Sequence, residues 1–433
     1  MRQQMNADEP VCGNGSGCTG AFRIYKISRF SVFMSPQEKA GSDPAKAEIC
    51  RTLSETADAY IIYGNMTDPD LYYASRFLAS DSFTYILLAS GHEILLVSEM
   101  EKNRALKESC VRDVRTTGEY GLRQKAAACR DASLGYAGVI EELLQKEGVR
   151  KASFPYNAPA FLYEGIRTGK AGIGVTLSKS PFLKARSIKS EEESACIEES
   201  MRGTEAAMEA AIDMIRKAGV RDGFLISPGT ERPLTGAEVL TEIDRVLTEH
   251  NDLGDETIVS CAEDSADPHG KTYGPLRAGR PIVIDIFPMN KRSRYFSDMT
   301  RTVLKGKASP ELAKLYEAVR KAQEAGIAAA RPGVTCADVH NRVCDVLEKE
   351  GYDTMRSGAT VGFIHTTGHG VGLEIHEQPG VYDNDHVLVP GNVITIEPGL
   401  YYPGLGGIRI EDTVIITEDG CRNYNKAEKV FEV

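Results

Sequence analysis

Apolar residues switch between a strand period and a helical period along the chain from about residue 46 onward. AEICRTLSETADA (47–59) predicts a helix and AYIIYG (59–64) a strand, while SFTYILLAS (82–90) and HEILLVSEM (92–100) predict a strand pair turning at Gly91. DASLGYAGVIEELLQKEG (131–148) predicts another helix before the apolar KASFPYN (151–157). Short apolar strands separated by helices define an α/β domain with a largely covered sheet. This half holds no cluster of catalytic residue types, and His92, in the turn SGHE, reads as a solvated loop residue.

The grammar changes near residue 188, where a domain boundary is expected between a first domain over 46–188 and a second domain over 189–433. Ser190 followed by three glutamates suits an N-cap and first turn, because carboxylates favour the positive end of the helix dipole. Met201, Met208, Ile212 and Ile215 then recur at helical spacing, with Gly219 as the expected stop. Two more helices are expected, one from Ser309 and Pro310 and one from Thr335 to Gly351. His340, beside Asp338 on the latter, reads as a surface residue, as do His250 and His386. Long β-hairpins lie between and after these helices, so the second domain reads as α+β, an antiparallel sheet covered by helices.

Two of those hairpins raise a chemical problem. PIVIDIF (281–287) is apolar on both faces, yet carries Asp285, and the returning arm YFSDMTRTV carries Asp298 among Phe296, Met299 and Val303. Between the arms lies the polar loop MNKRSR (289–294). The segment GNVITIEPGLYYPGLGGIRIEDTVIIT (391–417) repeats the design with Glu397 and Glu411. A buried ionised acid is costly unless paired or bound to a metal. Arg301 or Arg409 offers an ion pair to one acid, but these strands hold too few cations for four. FIHTTGHGVGLEIHEQPG (363–380) adds His365, His369 and His376, with glycines around His369 that let the backbone approach a crowded site. Four carboxylates and an imidazole suit a pair of Mn²⁺, Co²⁺, Fe²⁺ or Zn²⁺ ions, and the chemistry implied is hydrolysis of an amide or ester.

Composition narrows the setting. With 433 residues, 42% apolar and 26% charged, the chain reads as a soluble globular protein of two or three domains, and no stretch approaches the roughly 18 apolar residues of a membrane span. The net charge of −11 without a dense basic stripe argues against nucleic acid as a partner. Ten singly scattered cysteines read as reduced thiols and point to the cytoplasm. Residues 1–45 have no apolar run at their start and carry acidic residues, so they read as a flexible extension, neither secretory signal nor transit peptide. Cys12 and Cys18 lack partners for a zinc site there, and Met34 is a candidate start.

The order Asp285, Asp298, His369, Glu397, Glu411, set in IDIFP, SDMTRT, GHGVG, IEPGLY and GIRIEDT, resembles the dinuclear site of the pita-bread metallopeptidases. The likeness is strong over residues 188–433, and the first half is similar to the creatinase-type accessory domain. The resemblance implies that Asp285 chelates one metal, Asp298 and Glu411 bridge both, and His369 with Glu397 holds the other. Glu397 would also shuttle a proton. It further implies that His269 (in ADPHG), His365 and His376 contact the substrate's carbonyl and carboxylate, and that Arg409 orients Glu411 and the proline side of the substrate. The accessory domain and the 13-residue interval between the aspartates match the Xaa-Pro branch, aminopeptidase P and prolidase, acting on peptides with Mn²⁺ as the foremost metal. A homodimer is implied as well. Two alternatives are a non-peptide amide hydrolase of the same fold, acting on an ectoine- or creatine-like compound, and a binding module without activity.

Overall fold

The computed structural model describes residues 44–433, so the expectations for Cys12, Cys18 and Met34 lie outside the described residues. The first element is the helix Pro44–Ser54, which stops five residues short of the expected end because Ala59 already belongs to the first strand. Six strands form a mixed sheet. Ala59–Gly64 pairs antiparallel with Phe83–Leu88, which pairs antiparallel with Glu93–Val97. Asp113–Thr116 joins one edge in parallel, and Lys151–Pro155 and Gly174–Ser178 extend the other. Successive residues of the central strands pack into different cores: Tyr60 and Ile62 on one face, Ala59 and Ile61 on the other. Burial on both faces accounts for the near-continuous apolar runs in the sequence. His92 is exposed and bonds Asp113.

The long helix Glu191–Lys217 begins with a capping box, in which Ser190 and Glu193 each bond the other's backbone N–H. Its end differs from expectation. Ala218 caps the helix in an extended conformation, and Gly219, whose φ is not positive, opens the short strand Gly219–Arg221 instead of stopping the helix. A second capping box starts Gly236–Glu249, and Ser309 and Thr335 cap the helices Pro310–Ala329 and Cys336–Lys349.

These helices cover the strand that carries Asp285 and the strands that begin or end beside Asp298, Glu397 and Glu411. Ile258–Cys261, Ile282–Ile286 and Met299–Val303 form one antiparallel sheet, packed with the first two helices in a single core. Gly368–Gly370, Glu377–Val381, Val393–Ile396, Asp412–Ile416 and Cys421–Asn423 form a five-stranded sheet whose core takes in the last two helices. The sheets meet where Glu411 N–H donates to Thr300 O (3.1 Å) and Thr413 Oγ1 to Asp298 O (2.8 Å).

Two expectations change here. His340 is not on the surface: it is buried, its Nδ1 2.8 Å from Thr367 Oγ1 and its Nε2 3.6 Å from Cys344 Sγ. His250 is exposed, and His386 is half-buried. The MNKRSR segment is also more than an open loop. Met289–Asn290 pairs with Asp252–Leu253, Asn290 Nδ2 donates to the buried Asp252 (2.9 Å), and the following Tyr295 hydroxyl joins Arg76 and Glu193. The turn therefore ties the accessory sheet's neighbourhood to the start of the long helix.

Candidate metal centre

Strand register explains how acids far apart in sequence meet. Asp285 pairs with Thr300, and Asp298 lies two residues before Thr300, directly ahead of the strand Met299–Val303, so alternation keeps both acids on one face. In the second hairpin Ile396 pairs with Asp412, which leaves Glu397 and Glu411 as the next opposed pair, just where the ladder is interrupted. Beyond the interruption Gly399 pairs with Arg409, returning the same register. His369 enters from the neighbouring strand, its N–H held by Thr395 Oγ1 at 3.0 Å. A Cβ at Gly368 would meet Thr395 O at 2.0 Å, so the close approach of these strands requires glycine there.

Asp298, His369 and Glu411 each bring a donor atom within 4.8 Å of the others. Glu397 Oε1 is 3.3 Å and Asp298 Oδ2 3.5 Å from His369 Nε2. Thr300 Oγ1 donates to Glu411 Oε2 (2.8 Å), and Thr395 Oγ1 to Glu397 Oε1 (3.2 Å). Asp285 Oδ2 accepts from Arg409 Nη2 at 2.6 Å. Three buried oxygens, Asp285 Oδ1, Asp298 Oδ1 and Glu411 Oε1, have no hydrogen-bond partner. Buried carboxylate oxygens without partners, in a cluster that includes an imidazole nitrogen, fit divalent cations, which would supply the missing positive charge.

The electrostatics say the same. Burial, followed by repulsion from Glu411, Asp285 and Glu397, raises the Asp298 pKa well above the carboxylate range. Burial and then Glu397 and Asp285 raise Glu411 likewise, and burial lifts Glu397 to about 8 against the pull of Arg409. The His369 ring is lowered to about 3 by burial and then by His376, so it stays neutral; with Nδ1 donating to Gly370 O (3.2 Å), its Nε2 lone pair turns toward the acids. His365 is lowered to about 3 by burial and then by Arg409.

A second chain of groups runs beside the acids. His365 Nδ1 donates to Thr366 O (2.8 Å), its Nε2 accepts from the Tyr401 hydroxyl (3.1 Å), and that hydroxyl accepts from Arg409 Nη1 (2.8 Å). Arg409 Nε donates to Thr300 Oγ1 (3.2 Å), so Arg409 reaches Glu411 through Thr300 and Asp285 directly. Arg301 instead pairs with Asp412 at 2.8 Å, behind the centre. His376 stands edge-on to His369 with ring centroids 4.2 Å apart, and both His376 and His269 are exposed. The side chains of His369 and Glu397 retain 15% exposure while Glu411 has almost none, so the centre opens on the His369 side.

Tyr401, Thr300 and Thr395 were not among the residues expected from sequence. Period two was the available signal: Tyr401 is four residues past Glu397, and Thr300 is two past Asp298.

Fold and donor set define the class, a pita-bread domain with a carboxylate and histidine metal centre behind a creatinase-like accessory domain. Comparison with known proteins agrees. The model of metallopeptidase family M24 matches residues 195–418. The chain is 30% identical over 385 residues to the Xaa-Pro dipeptidase of Pyrococcus horikoshii, covering 86% of this chain and 93% of that one. Against the Xaa-Pro dipeptidase of Pyrococcus furiosus it is 35% identical over 253 residues, covering 56% and 64%. The solved prolidase from Pyrococcus horikoshii OT3 superposes with a TM-score of 0.72 at 27% identity, over 89% of this chain and 99% of that one. The chain belongs to metallopeptidase family M24.

Proposed function

We propose that the protein hydrolyses the Xaa-Pro peptide bond of dipeptides or of peptide N-termini. The observation that carries the proposal is the gathering of donor atoms of Asp298, His369 and Glu411 within 4.8 Å of one another, with buried oxygens of Asp298, Glu411 and Asp285 left without a hydrogen-bond partner. In this reading Asp285, Asp298, His369, Glu397 and Glu411 would together hold two divalent ions, Mn²⁺ foremost. When bound, such ions supply Lewis-acid polarisation of the carbonyl and a water of lowered pKa. Glu397, whose Oε1 is held by Thr395, would take a proton from the attacking water and pass it to the departing proline nitrogen as the C–N bond breaks. His269 and His376, on the open side, contact the substrate's carbonyl and carboxylate. The neutral His365, fixed by Tyr401, and Arg409, fixed by Asp285 and Thr300, orient the proline side.

The relatives named Xaa-Pro dipeptidase support this substrate class. A cytoplasmic homodimer belongs to the same proposal. The eight cysteines among the described residues are all free thiols, consistent with a reducing compartment.

The test is a panel of dipeptides and longer peptides varied in their second residue, assayed with Mn²⁺, Co²⁺ and Zn²⁺. Release of proline from Ala-Pro, or of the first residue from Xaa-Pro peptides, is expected. Inactivity on every such peptide by protein carrying two metal ions per chain overturns the reading, and turnover of a cyclic or guanidino amide instead points to the non-peptide alternative.

A further inference from the structure

The hairpin that presents His376 is closed by an acid of its own. Gly368–Gly370 and Glu377–Val381 are its arms, with Gly370 paired to Glu377, so His369 and His376 flank one tight turn. The Glu377 carboxylate folds back under that turn. A Cβ at Gly372 would meet Glu377 Oε1 at 2.3 Å, and Glu374 N–H points at Glu377 Oε2 from 3.4 Å. The side chain is 3% exposed.

Two cations hold it there. Lys189 Nζ lies 2.7 Å from Glu377 Oε1, and Arg186 Nη2 lies 2.7 Å from Glu377 Oε2 and 2.7 Å from Glu374 Oε2. Both cations come from the segment that joins the six-stranded sheet's domain to the long helix. Arg186 is itself tied to that domain by Asp70 at 2.7 Å, while Lys189 N–H donates to Gly391 O and Asn392 Nδ2 to Ser187 O, each at 2.8 Å. A paired acid at this depth fixes backbone geometry, because releasing either partner leaves an uncompensated buried charge. Its immediate chain neighbour is the exposed ring that stands against His369.

We propose that Glu377, clasped by Arg186 and Lys189, is a positioning residue that sets the His376 ring against His369, and that the accessory domain reaches the site through Asp70 and Arg186. The proposal rests on the hydrolytic reading above. A double-mutant cycle tests it, with Glu377→Gln made in the native and His376→Ala backgrounds, Ala-Pro as substrate and metal content measured on each protein. Glu377→Gln is expected to lower kcat/KM roughly 10-fold or more in the native background, with both metals retained, and by less than about 2-fold once His376 is gone. Equal losses in both backgrounds would show a merely structural role and overturn the proposal. If Glu377→Gln does not fold, Arg186→Lys, which keeps the charge but loses the guanidinium fork, carries the same cycle. Hydrogen exchange of the amides in 372–381 gives a readout that needs no activity: faster exchange in either variant is expected, and unchanged exchange overturns the clasp. Wild-type protein that is inactive on all Xaa-Pro peptides but shows the exchange effect would refute the function and keep the clasp.

Discussion

Removing metal should make the protein lose stability as pH rises from about 5 to 8. Glu397, Asp298 and Glu411 all have raised pKa values, with burial as the first cause and mutual repulsion reinforcing it for Asp298 and Glu411. An acid whose folded pKa is raised keeps its proton in the native state over a range where the unfolded chain has already lost it. Stability is therefore intact below the ordinary carboxylate pKa and falls as pH climbs toward the folded value. Glu397 alone moves from 4.5 to about 8. At about 1.4 kcal/mol per unit that is a loss on the order of 5 kcal/mol, complete only above the folded pKa. For a chain of this size, with an unfolding entropy of about 2 cal/mol/K per residue, such a loss lowers Tm by roughly 5 °C.

The chain has no tryptophan, so melting is followed by circular dichroism or calorimetry on chelator-treated protein at several pH values between 5 and 8. The decisive comparison is with metal-free Glu397→Gln, in which one titrating carboxyl is gone while every remote group still titrates. Metal-free wild type should fall more steeply with pH than the variant, and Mn²⁺ should restore the wild type most at the alkaline end, where protons no longer compete for the ligands. Parallel curves for wild type and variant would refute the assignment of buried, mutually repelling acids at this site.

Asp298→Ala should abolish Xaa-Pro hydrolysis, by at least about 10²- to 10³-fold, and reduce bound metal, while circular dichroism shows the fold intact; retained turnover would count against the ligand set. Tyr401→Phe removes the hydroxyl between Arg409 and His365 and should cost about 10-fold in kcat/KM without loss of metal. Tyr295→Phe should lower stability by about 1–2 kcal/mol in urea unfolding through its lost bond to Glu193, with activity kept. His340→Ala should cost about 2–4 kcal/mol in the same assay, because it leaves a cavity and an unpaired Thr367 hydroxyl; an unchanged midpoint would contradict its burial.

His340 also shows where the sequence reading fell short for a local reason. Cys336, Val339, Val343, Cys344 and Leu347 form the buried stripe of its helix, and position 340 falls inside that stripe at i+4 from Cys336. A histidine beside an acid suggests solvent, but the helical phase of position 340 places it in the core. Gly219 failed in a similar way, since an extended Ala218 ends the helix without needing a left-handed residue. The helices, the strands and the acids were legible because each rests on local periodicity or on the plain cost of a charge in an apolar strand. Arg186 and Glu377 are 191 residues apart, and no local pattern marks either as the other's partner. Such contacts exist only once the two domains have packed.

Asp285 carries the most instructive difference. From sequence, an arginine partner and a metal are competing explanations for a buried aspartate, and counting cations favours the metal. The structure makes the two compatible: Oδ2 bonds Arg409, while Oδ1 is buried without a protein partner. The two are cooperative in physical terms. A fixed guanidinium locks the Asp285 rotamer and leaves its second oxygen free of protein donors, available to a cation. Arg409→Lys should therefore weaken metal binding even though the positive charge is retained, because a lysine cannot bond Asp285, Tyr401 and Thr300 at once with the geometry of the planar fork.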